Sequence, residues 1–345
     1  MIDDDDFEAP PPRRPLFRRK RVLIPLGMLL AILVAFLALR TPDTDRDAMI
    51  AKYGGPNAQF AAGPAGQQIH YRDQGKRDGP VMILLHGSNS SLQTWEPLVQ
   101  RLGDDYRVVT LDLPGHGLTG GTPDKDYGAS GMIAAVDVVA AKLGLDHFIL
   151  GGNSMGGWVA WRYALAGAHP VDALLLIDAA GMPLRKGEKA PPSNVGFRLL
   201  KYPFGRWLAS QITPRGLIEE SLRGSVANQA IVDDAMIDRY WELLRFPGNR
   251  EATSLRATLD REPAMAGRIG EIKAPTLILF GKRDRLINPS AAQTFHERIA
   301  GSEVVLLDGV GHLPMEEAPD ATAAAIAEFL RRRLGGASPA DRETP

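Results

Sequence analysis

The sequence has no cysteine among its 345 residues. Disulfides, thiolate nucleophiles and cysteine-based metal sites are therefore excluded. An excess of charge of one sign is also absent, because 40 Lys and Arg residues nearly balance 41 Asp and Glu residues. This balance argues against a nucleic-acid partner and against a strongly polyanionic substrate. Metal-ligand spacings, a Gly-x-Gly-x-x-Gly loop and phosphate-binding signatures are also missing, so no cofactor and no metal is expected.

Apolar strands alternate with helical segments over most of the chain. Seven strands are predicted, at residues 68–72, 81–85, 107–112, 147–152, 173–178, 276–280 and 303–307. Several are unbroken apolar runs, which is typical of strands buried on both faces of a parallel sheet. Helices are predicted at residues 94–102, 130–143, 155–168, 289–300 and 319–334. This alternation predicts an α/β protein with a mostly parallel, twisted sheet flanked by helices.

One long insertion interrupts the alternation. Nearly 100 residues with helical patterning separate Asp178 from Thr276. A segment of this length is too long for a bare loop, so we expect a helical cap at residues 181–273 that divides the core into 67–180 and 274–334. The insertion is rich in aromatic residues, and most of them are expected to pack the small core of the cap. These residues are Phe197, Tyr202, Phe204, Trp207, Tyr240, Trp241 and Phe246.

The N-terminal region has the features of a membrane anchor. Residues 1–21 are Pro-rich with separate acidic and basic clusters, which predicts disorder. Residues 22–39 form an uncharged apolar run, and 18 residues of helix are about 27 Å long, close to the thickness of a bilayer's hydrocarbon core. Six basic residues precede the run, which predicts a single-pass protein with its N-terminus in the cytoplasm and the remainder outside, periplasmic or extracellular. A cleaved signal peptide and a secreted protein are the alternative, although such peptides have shorter apolar regions.

Two further segments are predicted to lie outside the core. Residues 40–66 contain Gly-Pro breaks and are predicted to be a linker, with room for a short helix at residues 45–53. Residues 335–345 follow the last helix and begin with two glycines, which predicts a disordered tail.

The segment from Gly152 to Gly156 reads Gly-Asn-Ser-Met-Gly and lies between a predicted strand and a predicted helix. This is the pattern of a nucleophile elbow, in which a serine occupies a sharp turn with strained backbone angles. The glycines at 152 and 156 are expected because a Cβ atom there would collide with the turn or the neighbouring strand. Ser154 is therefore the candidate nucleophile.

A serine hydroxyl needs a base, and an imidazole base needs a carboxylate to fix its tautomer. His312 follows the last predicted strand and Asp284 follows the strand before it, so the chain supplies the order Ser, Asp, His. Asp178, at the end of an earlier strand, is the competing carboxylate. His86 precedes the serine, which this order does not allow for the base.

Acyl transfer also needs hydrogen-bond donors for the developing oxyanion. The backbone N–H of Met155, at the start of a helix, is one candidate. The N–H of Ser88 is the second, because Gly87 allows the loop after its strand to bend toward the pocket. The side chains of Ser88 and Asn89 could instead cap the helix that follows.

From about residue 67 to 334 the chain resembles the α/β-hydrolase fold superfamily. The resemblance is carried by His86-Gly87, Asp112 to Gly117, Gly152 to Gly157, Gly281 to Asp284 and Gly311-His312. It implies an α/β-hydrolase sheet, catalytic roles for Ser154, Asp284 and His312, and structural roles for Asp112 and His116.

Two branches of the superfamily are similar around Ser154: esterases and lipases, and the C–C hydrolases of meta-cleavage pathways. Those C–C hydrolases usually carry a Gly-rich loop after His-Gly and a Trp after the catalytic histidine, whereas this chain has Ser88 to Ser91 and Leu313. The resemblance therefore implies a membrane-anchored serine hydrolase of the carboxylesterase or lipase type, which acts on a small-molecule ester or lipid-like substrate. A C–C hydrolase and a non-catalytic ligand-binding protein of the same fold are the alternatives.

Overall fold

The structure is a computed structural model that describes residues 16–185, 187–188, 202–259 and 263–335. It divides into two compact units at Thr41 and Pro42. The predicted disorder of residues 1–15 and 336–345 lies outside the described residues, as does Phe197 of the predicted cap.

The first unit contains helix α1, Leu16–Leu39. The helix begins inside the segment predicted to be disordered, so that prediction was wrong from residue 16 onward. In the part of the chain that the structure describes, no helix combines the length and the apolar character needed to cross a membrane. The predicted membrane span begins at Val22, whose side chain lies outside the described part of the chain. The membrane span therefore stays a prediction.

The second unit contains a sheet of eight strands in the order β1-β2-β4-β3-β5-β6-β7-β8. β2 pairs antiparallel with β1 on one side and with β4 on the other, and all the other neighbouring strands in this order are parallel. The strands are β1 Gln59–Ala62, β2 Gln68–Gly75, β3 Val81–Leu85, β4 Arg107–Leu111, β5 Phe148–Asn153, β6 Val171–Ile177, β7 Thr276–Gly281 and β8 Glu303–Leu307. The seven predicted strands and the mostly parallel sheet are confirmed.

The linker prediction was wrong for part of residues 40–66. That range contains β1, which pairs with β2. The short helix predicted at residues 45–53 is confirmed as α2, Arg46–Tyr53. The helix is capped by Asp45, whose side chain accepts the N–H of Ala48 at 2.8 Å. β1 has only four residues, and strand pairing rather than a long apolar run holds it in the sheet.

Helices cover both faces of the sheet, and each face has its own cluster of buried apolar side chains. The remaining helices among the described residues are α3 Glu96–Leu102, α4 Ala129–Leu143, α5 Met155–Ala166, α6 Pro203–Gln211, α7 Arg215–Ser225, α8 Asp234–Leu244, α9 Asn249–Arg256, α10 Ser290–Arg298, α11 Pro314–Glu317 and α12 Pro319–Leu334. Short 3₁₀ helices lie at Leu92–Trp95, Gln229–Ile231 and Pro263–Glu271. The five predicted helices are confirmed with shifts of a few residues.

Within its described residues, the insertion contains helices α6 to α9. Phe246 is fully buried beside Leu118 and Leu243, so it packs where the insertion meets the core. Three other aromatic residues, Tyr202, Phe204 and Trp207, are exposed. For these three, the expectation that the aromatics fill the core of the cap was wrong.

Candidate active site

Ser154 occupies the turn between β5 and α5, with backbone angles of φ 55° and ψ −115°. Such angles are strained for a residue with a side chain. The strain is held by hydrogen bonds on both sides: the Ser154 N–H donates to Ile177 O at 3.1 Å, and the Ala180 N–H donates to Ser154 O at 3.0 Å. The neighbouring strand β6 therefore fixes the turn from both directions.

The two outer glycines are required by close backbone approach. A Cβ on Gly152 would lie 2.3 Å from the carbonyl carbon of Gly156. A Cβ on Gly156 would lie 2.1 Å from the carbonyl oxygen of Leu85, at the end of β3. The predicted collisions with the turn and with the neighbouring strand are confirmed.

His312 and Asp284 lie together at the carboxyl edge of the sheet. The distance from His312 Nδ1 to Asp284 Oδ2 is 2.7 Å, and both side chains are buried. Asp284 Oδ1 accepts the N–H groups of Leu286 at 2.7 Å and Ile287 at 3.0 Å. The carboxylate therefore uses one oxygen to hold its own loop and the other to orient the imidazole.

Asp178, the competing carboxylate, lies behind this pair. Its Oδ1 accepts the N–H of Gly281 at 3.0 Å, and its Oδ2 has no hydrogen-bond partner among the described residues. Complete burial raises the pKa of Asp178 well above its ordinary value, and the charge of Asp284 raises that pKa further. These surroundings favour the neutral form of Asp178, and Asp284 is the carboxylate that contacts His312.

Asp178, Asp284 and His312 offer ligand atoms that lie within 4.8 Å of one another, which is close enough to hold a metal ion. The hydrogen bond between His312 Nδ1 and Asp284 Oδ2 occupies one atom of each residue. The burial and neighbouring charge that raise the pKa of Asp178 also disfavour the ionised form that would bind a cation. The donor set fits a carboxylate–imidazole pair better than a metal centre.

Asn153 joins the histidine loop to the serine turn. Its Nδ2 donates to Ile177 O at 3.2 Å and to His312 O at 3.0 Å. Because Asn153 directly precedes Ser154, one buried amide connects the end of β5, the end of β6 and the loop after β8. The sequence placed this residue inside the elbow motif but gave no sign of its contacts.

The loop after β3 lies against the elbow. A Cβ on Gly87 would be 3.2 Å from Ser154 Cβ and 3.0 Å from Asn153 Oδ1. The hydroxyl of Ser88 donates to Met155 Sδ at 3.3 Å. The two residues predicted to supply the oxyanion donors are thus neighbours, and Met155 begins α5, where the first amides have no acceptor within the helix. Their catalytic roles stay predictions.

His86 and His116 are buried in the loops beside the elbow, and their surroundings favour the neutral imidazole. His86 Nε2 accepts the Leu113 N–H at 3.1 Å, and its Nδ1 lies 2.8 Å from Gly87 O. Burial lowers the pKa of His86, and burial together with the charge of Arg256 lowers the pKa of His116 well below its ordinary value. Both rings therefore shape the loops beside the elbow.

Asp112 has a structural role in the same loops. Its carboxylate accepts the N–H groups of Leu92 at 2.7 Å and Leu118 at 2.8 Å, and it contacts His70 Nδ1 at 2.7 Å. It is fully buried, and its partners in the described part of the chain lie in these loops and in β2 rather than at His312 or Ser154. The structural interpretation of Asp112 and His116 is supported by these contacts.

Arg256, on α9 of the cap, is a site residue that the sequence did not reveal. Its guanidinium contacts Met155 Sδ at 2.9 Å, Asn89 Oδ1 at 3.1 Å and His116 Nε2 at 2.5 Å. A cap residue therefore touches the residue after the candidate nucleophile. Nothing in the local sequence around Arg256 marks it, because its position depends on where α9 packs on the core.

Similarity to known proteins agrees with this geometry. The family model described as "Alpha/beta hydrolase family" matches residues 82–325. The human monoacylglycerol lipase ABHD6 is 28% identical over 266 residues, which cover 73% of this chain and 75% of that protein. The N-formylmaleamate deformylase of Pseudomonas putida is 29% identical over 274 residues, which cover 78% of this chain and 95% of that protein.

Among solved structures, a membrane phospholipase A described as a bacterial virulence factor is similar over 91% of this chain and 98% of its own. The TM-score is 0.64 and the sequence identity is 26%. The family match at residues 82–325 includes the insertion and the segments that carry residues 154, 284 and 312.

Proposed function

The chain belongs to the alpha/beta hydrolase family, and on that premise we propose that it is a serine hydrolase that cleaves carboxylic esters through an acyl-enzyme. The observation that carries the proposal is the 2.7 Å contact between His312 Nδ1 and Asp284 Oδ2, on a loop that Asn153 ties to the strained turn of Ser154. An imidazole held in this way has its Nε2 available to accept a proton.

In the proposed reaction, Ser154 Oγ attacks the ester carbonyl while His312 Nε2 takes the hydroxyl proton. The charge of Asp284 stabilises the imidazolium that forms. Collapse of the tetrahedral intermediate breaks the bond to the alcohol, which leaves with the proton from His312. Water then attacks the acyl-enzyme with the same base, and the acid is released as Ser154 regains its proton.

The backbone N–H groups of Ser88 and Met155 are proposed to hold the oxyanion during both steps. Removal of one such donor typically costs about 3–4 kcal/mol in the transition state. The contact between the Ser88 hydroxyl and Met155 Sδ supports the proposal, because it holds the two segments side by side.

We also propose that the substrate is lipid-like and that residues 22–39 anchor the protein in a membrane, with the catalytic unit outside the cytoplasm. The uncharged run and the basic residues before it support this proposal. Similarity to a monoacylglycerol lipase and to a membrane phospholipase A also supports it. A secreted protein after signal cleavage is the alternative.

The activity is tested with p-nitrophenyl esters of increasing acyl length. The wild type should hydrolyse them, with preference for longer chains, and Ser154→Ala should be inactive. Ser90→Ala is the matched control, because Ser90 lies in the loop after β3 and its hydroxyl donates to Tyr240. Equal turnover by the wild type and Ser154→Ala would end the proposal, whereas a preference for acetate would remove only the lipid-like substrate.

The orientation is tested separately with a reporter enzyme that is active only outside the cytoplasm. Fused after Leu334, at the end of α12, the reporter should be active. A silent reporter on a stable fusion would contradict the proposed topology without affecting the proposed chemistry.

A further inference from the structure

Helix α6 of the cap presents aromatic side chains to the outside. Tyr202 is 68% exposed, Phe204 is 69% exposed and Trp207 is 50% exposed. Phe204 and Trp207 lie one helical turn apart, and their rings contact each other with centroids 5.7 Å apart. Large side chains of this kind are normally buried, and a rigid exposed group of them marks a binding surface.

The first residues of the second unit are attached to the cap. The Thr44 N–H donates to Arg245 O at 2.9 Å, and Arg245 Nη1 donates to Pro42 O at 3.3 Å. Asp43 pairs with Arg250 at 2.5 Å. The chain therefore enters this unit on the surface of the cap, near the C-terminal end of α8 and the start of α9.

This entry point is also close to α6. Arg250 Nη1 donates to the hydroxyl of Thr213 at 3.4 Å, and that hydroxyl donates to Ala209 O in the last turn of α6 at 3.1 Å. Asp43, Arg250, Thr213 and Ala209 thus form a continuous series of hydrogen bonds. Trp207 lies two residues from the end of that series.

The connection between the apolar run and the entry point is short in sequence. Only Arg40 and Thr41 separate Leu39, where the run ends, from Pro42. Successive Cα atoms are about 3.8 Å apart, so Pro42 lies at most about 11 Å from Leu39. If the run is in a bilayer, Pro42 is at the headgroups, because each headgroup layer is only several ångströms thick.

We propose that the exposed aromatic surface at the start of α6, formed by Phe204, Trp207 and the preceding Tyr202, docks on the lipid bilayer that holds the N-terminal helix. This inference rests on the proposed membrane anchor. A short helix with aromatic residues on one face is suited to lie in the plane of the interface, and Trp and Tyr prefer the headgroup level. Docking directs the cap toward the membrane surface. The cap also carries α9, whose Arg256 contacts Met155.

The direct test uses the full chain in phosphatidylcholine vesicles with acyl chains brominated near the headgroup, which quench nearby tryptophans. The difference between the wild type and Trp207→Phe isolates the emission of Trp207, one of five tryptophans. That emission should fall by about half or more relative to non-brominated vesicles, as expected for a ring at the headgroup level.

Leu306, on the edge strand β8, provides the matched control, because it is an exposed apolar residue on the sheet at 43% exposure. Leu306→Trp in the Trp207→Phe background should show little quenching. Equal quenching at both positions, or none at Trp207 in protein that floats with the vesicles, would overturn the docking. Protein that does not float with the vesicles would contradict both the anchor and the docking.

A second measurement separates docking from chemistry. The double variant Phe204→Ser/Trp207→Ser should lose about ten-fold in kcat/KM on a long-chain ester embedded in vesicles, which corresponds to about 1.4 kcal/mol. Its hydrolysis of a soluble short-chain ester should be unchanged. If the wild type hydrolyses neither ester, the proposed function fails while the quenching result still decides the docking.

The same aromatic surface could bind a second copy of the chain instead of a bilayer. In that case Trp207 would remain unquenched by brominated lipid, and the double variant would convert an oligomer into a monomer in sedimentation measurements. That combination of results would replace the membrane by a protein interface.

Discussion

At the scale of single residues, the two carboxyl groups beside His312 have different roles because their surroundings differ. Asp284 accepts two backbone N–H groups and contacts the imidazole. Asp178 accepts one N–H and is fully buried next to the charge of Asp284. The sequence placed both residues at strand ends and favoured Asp284 with Asp178 as the competitor, whereas the contact that separates them depends on which oxygen lies against Nδ1.

This difference predicts unequal effects of removing each charge. Asp284→Asn should reduce kcat by about 10⁴, since the imidazole loses its orienting carboxylate. Asp178→Asn should keep most of the activity, because its surroundings favour a neutral carboxyl group, which an amide resembles in shape and charge. Steady-state kinetics on a p-nitrophenyl ester compare the two variants. A larger loss in Asp178→Asn than in Asp284→Asn would reverse the assignment.

The raised pKa of Asp178 also predicts a pH-dependent stability. Between the ordinary pKa of an aspartate and the raised folded-state pKa, the unfolded chain releases a proton that the folded protein retains. The free energy of unfolding therefore falls with pH in that window, by up to about 1.4 kcal/mol per pH unit. Asp178→Asn lacks this contribution.

Denaturant unfolding from pH 4 to pH 8 measures this effect. The stability of Asp178→Asn relative to the wild type should increase as the pH rises, until the folded-state pKa is passed. Asp308→Asn is the control, because Asp308 is an exposed partner of Lys282. A constant difference between Asp178→Asn and the wild type across this range would show that Asp178 is ionised in the folded protein.

At the scale of elements, the strands were the most predictable part of the fold. β3, β5 and β7 are short apolar runs that the sheet buries on both faces, and their pattern alone indicates them. β1 could not be found in this way, because its four residues form a strand only when they pair with β2. Order along the chain also predicted which strand ends carry Ser154 and His312, whereas Arg256 required the packing of α9.

The elbow between β5 and α5 predicts a steric effect at Gly156. Gly156→Ala places a Cβ against the carbonyls of Leu85 and His86, at 2.1 Å and 2.6 Å. Relief of this overlap should lower the free energy of unfolding by about 1–3 kcal/mol. Because the shift moves the turn that holds Ser154, ester hydrolysis should fall as well.

Gly224→Ala is the matched control for that substitution. Gly224 is also a helical glycine, near the end of α7, and a Cβ there meets nothing within 4 Å. This variant should be as stable as the wild type or more stable by up to about 1 kcal/mol. Thermal unfolding of both variants tests the comparison, and equal stability of the two would contradict the close packing at the elbow.

At the scale of the whole molecule, Glu316 connects the cap to the core of the sheet and its helices. Its Oε2 accepts a hydrogen bond from Arg239 at 2.6 Å, and its Oε1 accepts hydrogen bonds from Tyr240 at 3.0 Å and Thr94 at 2.6 Å. Arg239 and Tyr240 lie on α8 of the cap, while Thr94 and Glu316 belong to the core. Glu316 is four residues from His312, so the cap is coupled to the loop of the candidate base.

This connection predicts a large cost for Glu316→Gln. The substitution leaves the largely buried Arg239 without its carboxylate, and breaking a buried pair costs about 3–5 kcal/mol. Glu328→Gln is the control, because its pair with Arg332 is exposed and should contribute less than about 1 kcal/mol. Denaturant unfolding of both variants gives the comparison, and similar small losses in each would show that the cap is not held through Glu316.

The identity of the nucleophile is tested most directly by covalent labelling of the folded chain with a fluorophosphonate probe, followed by mass spectrometry of the modified peptide. We predict a single adduct on Ser154, absent from Ser154→Ala and strongly reduced in His312→Ala. A folded protein that forms no adduct, or an adduct on another serine with Ser154 unmodified, would contradict the account.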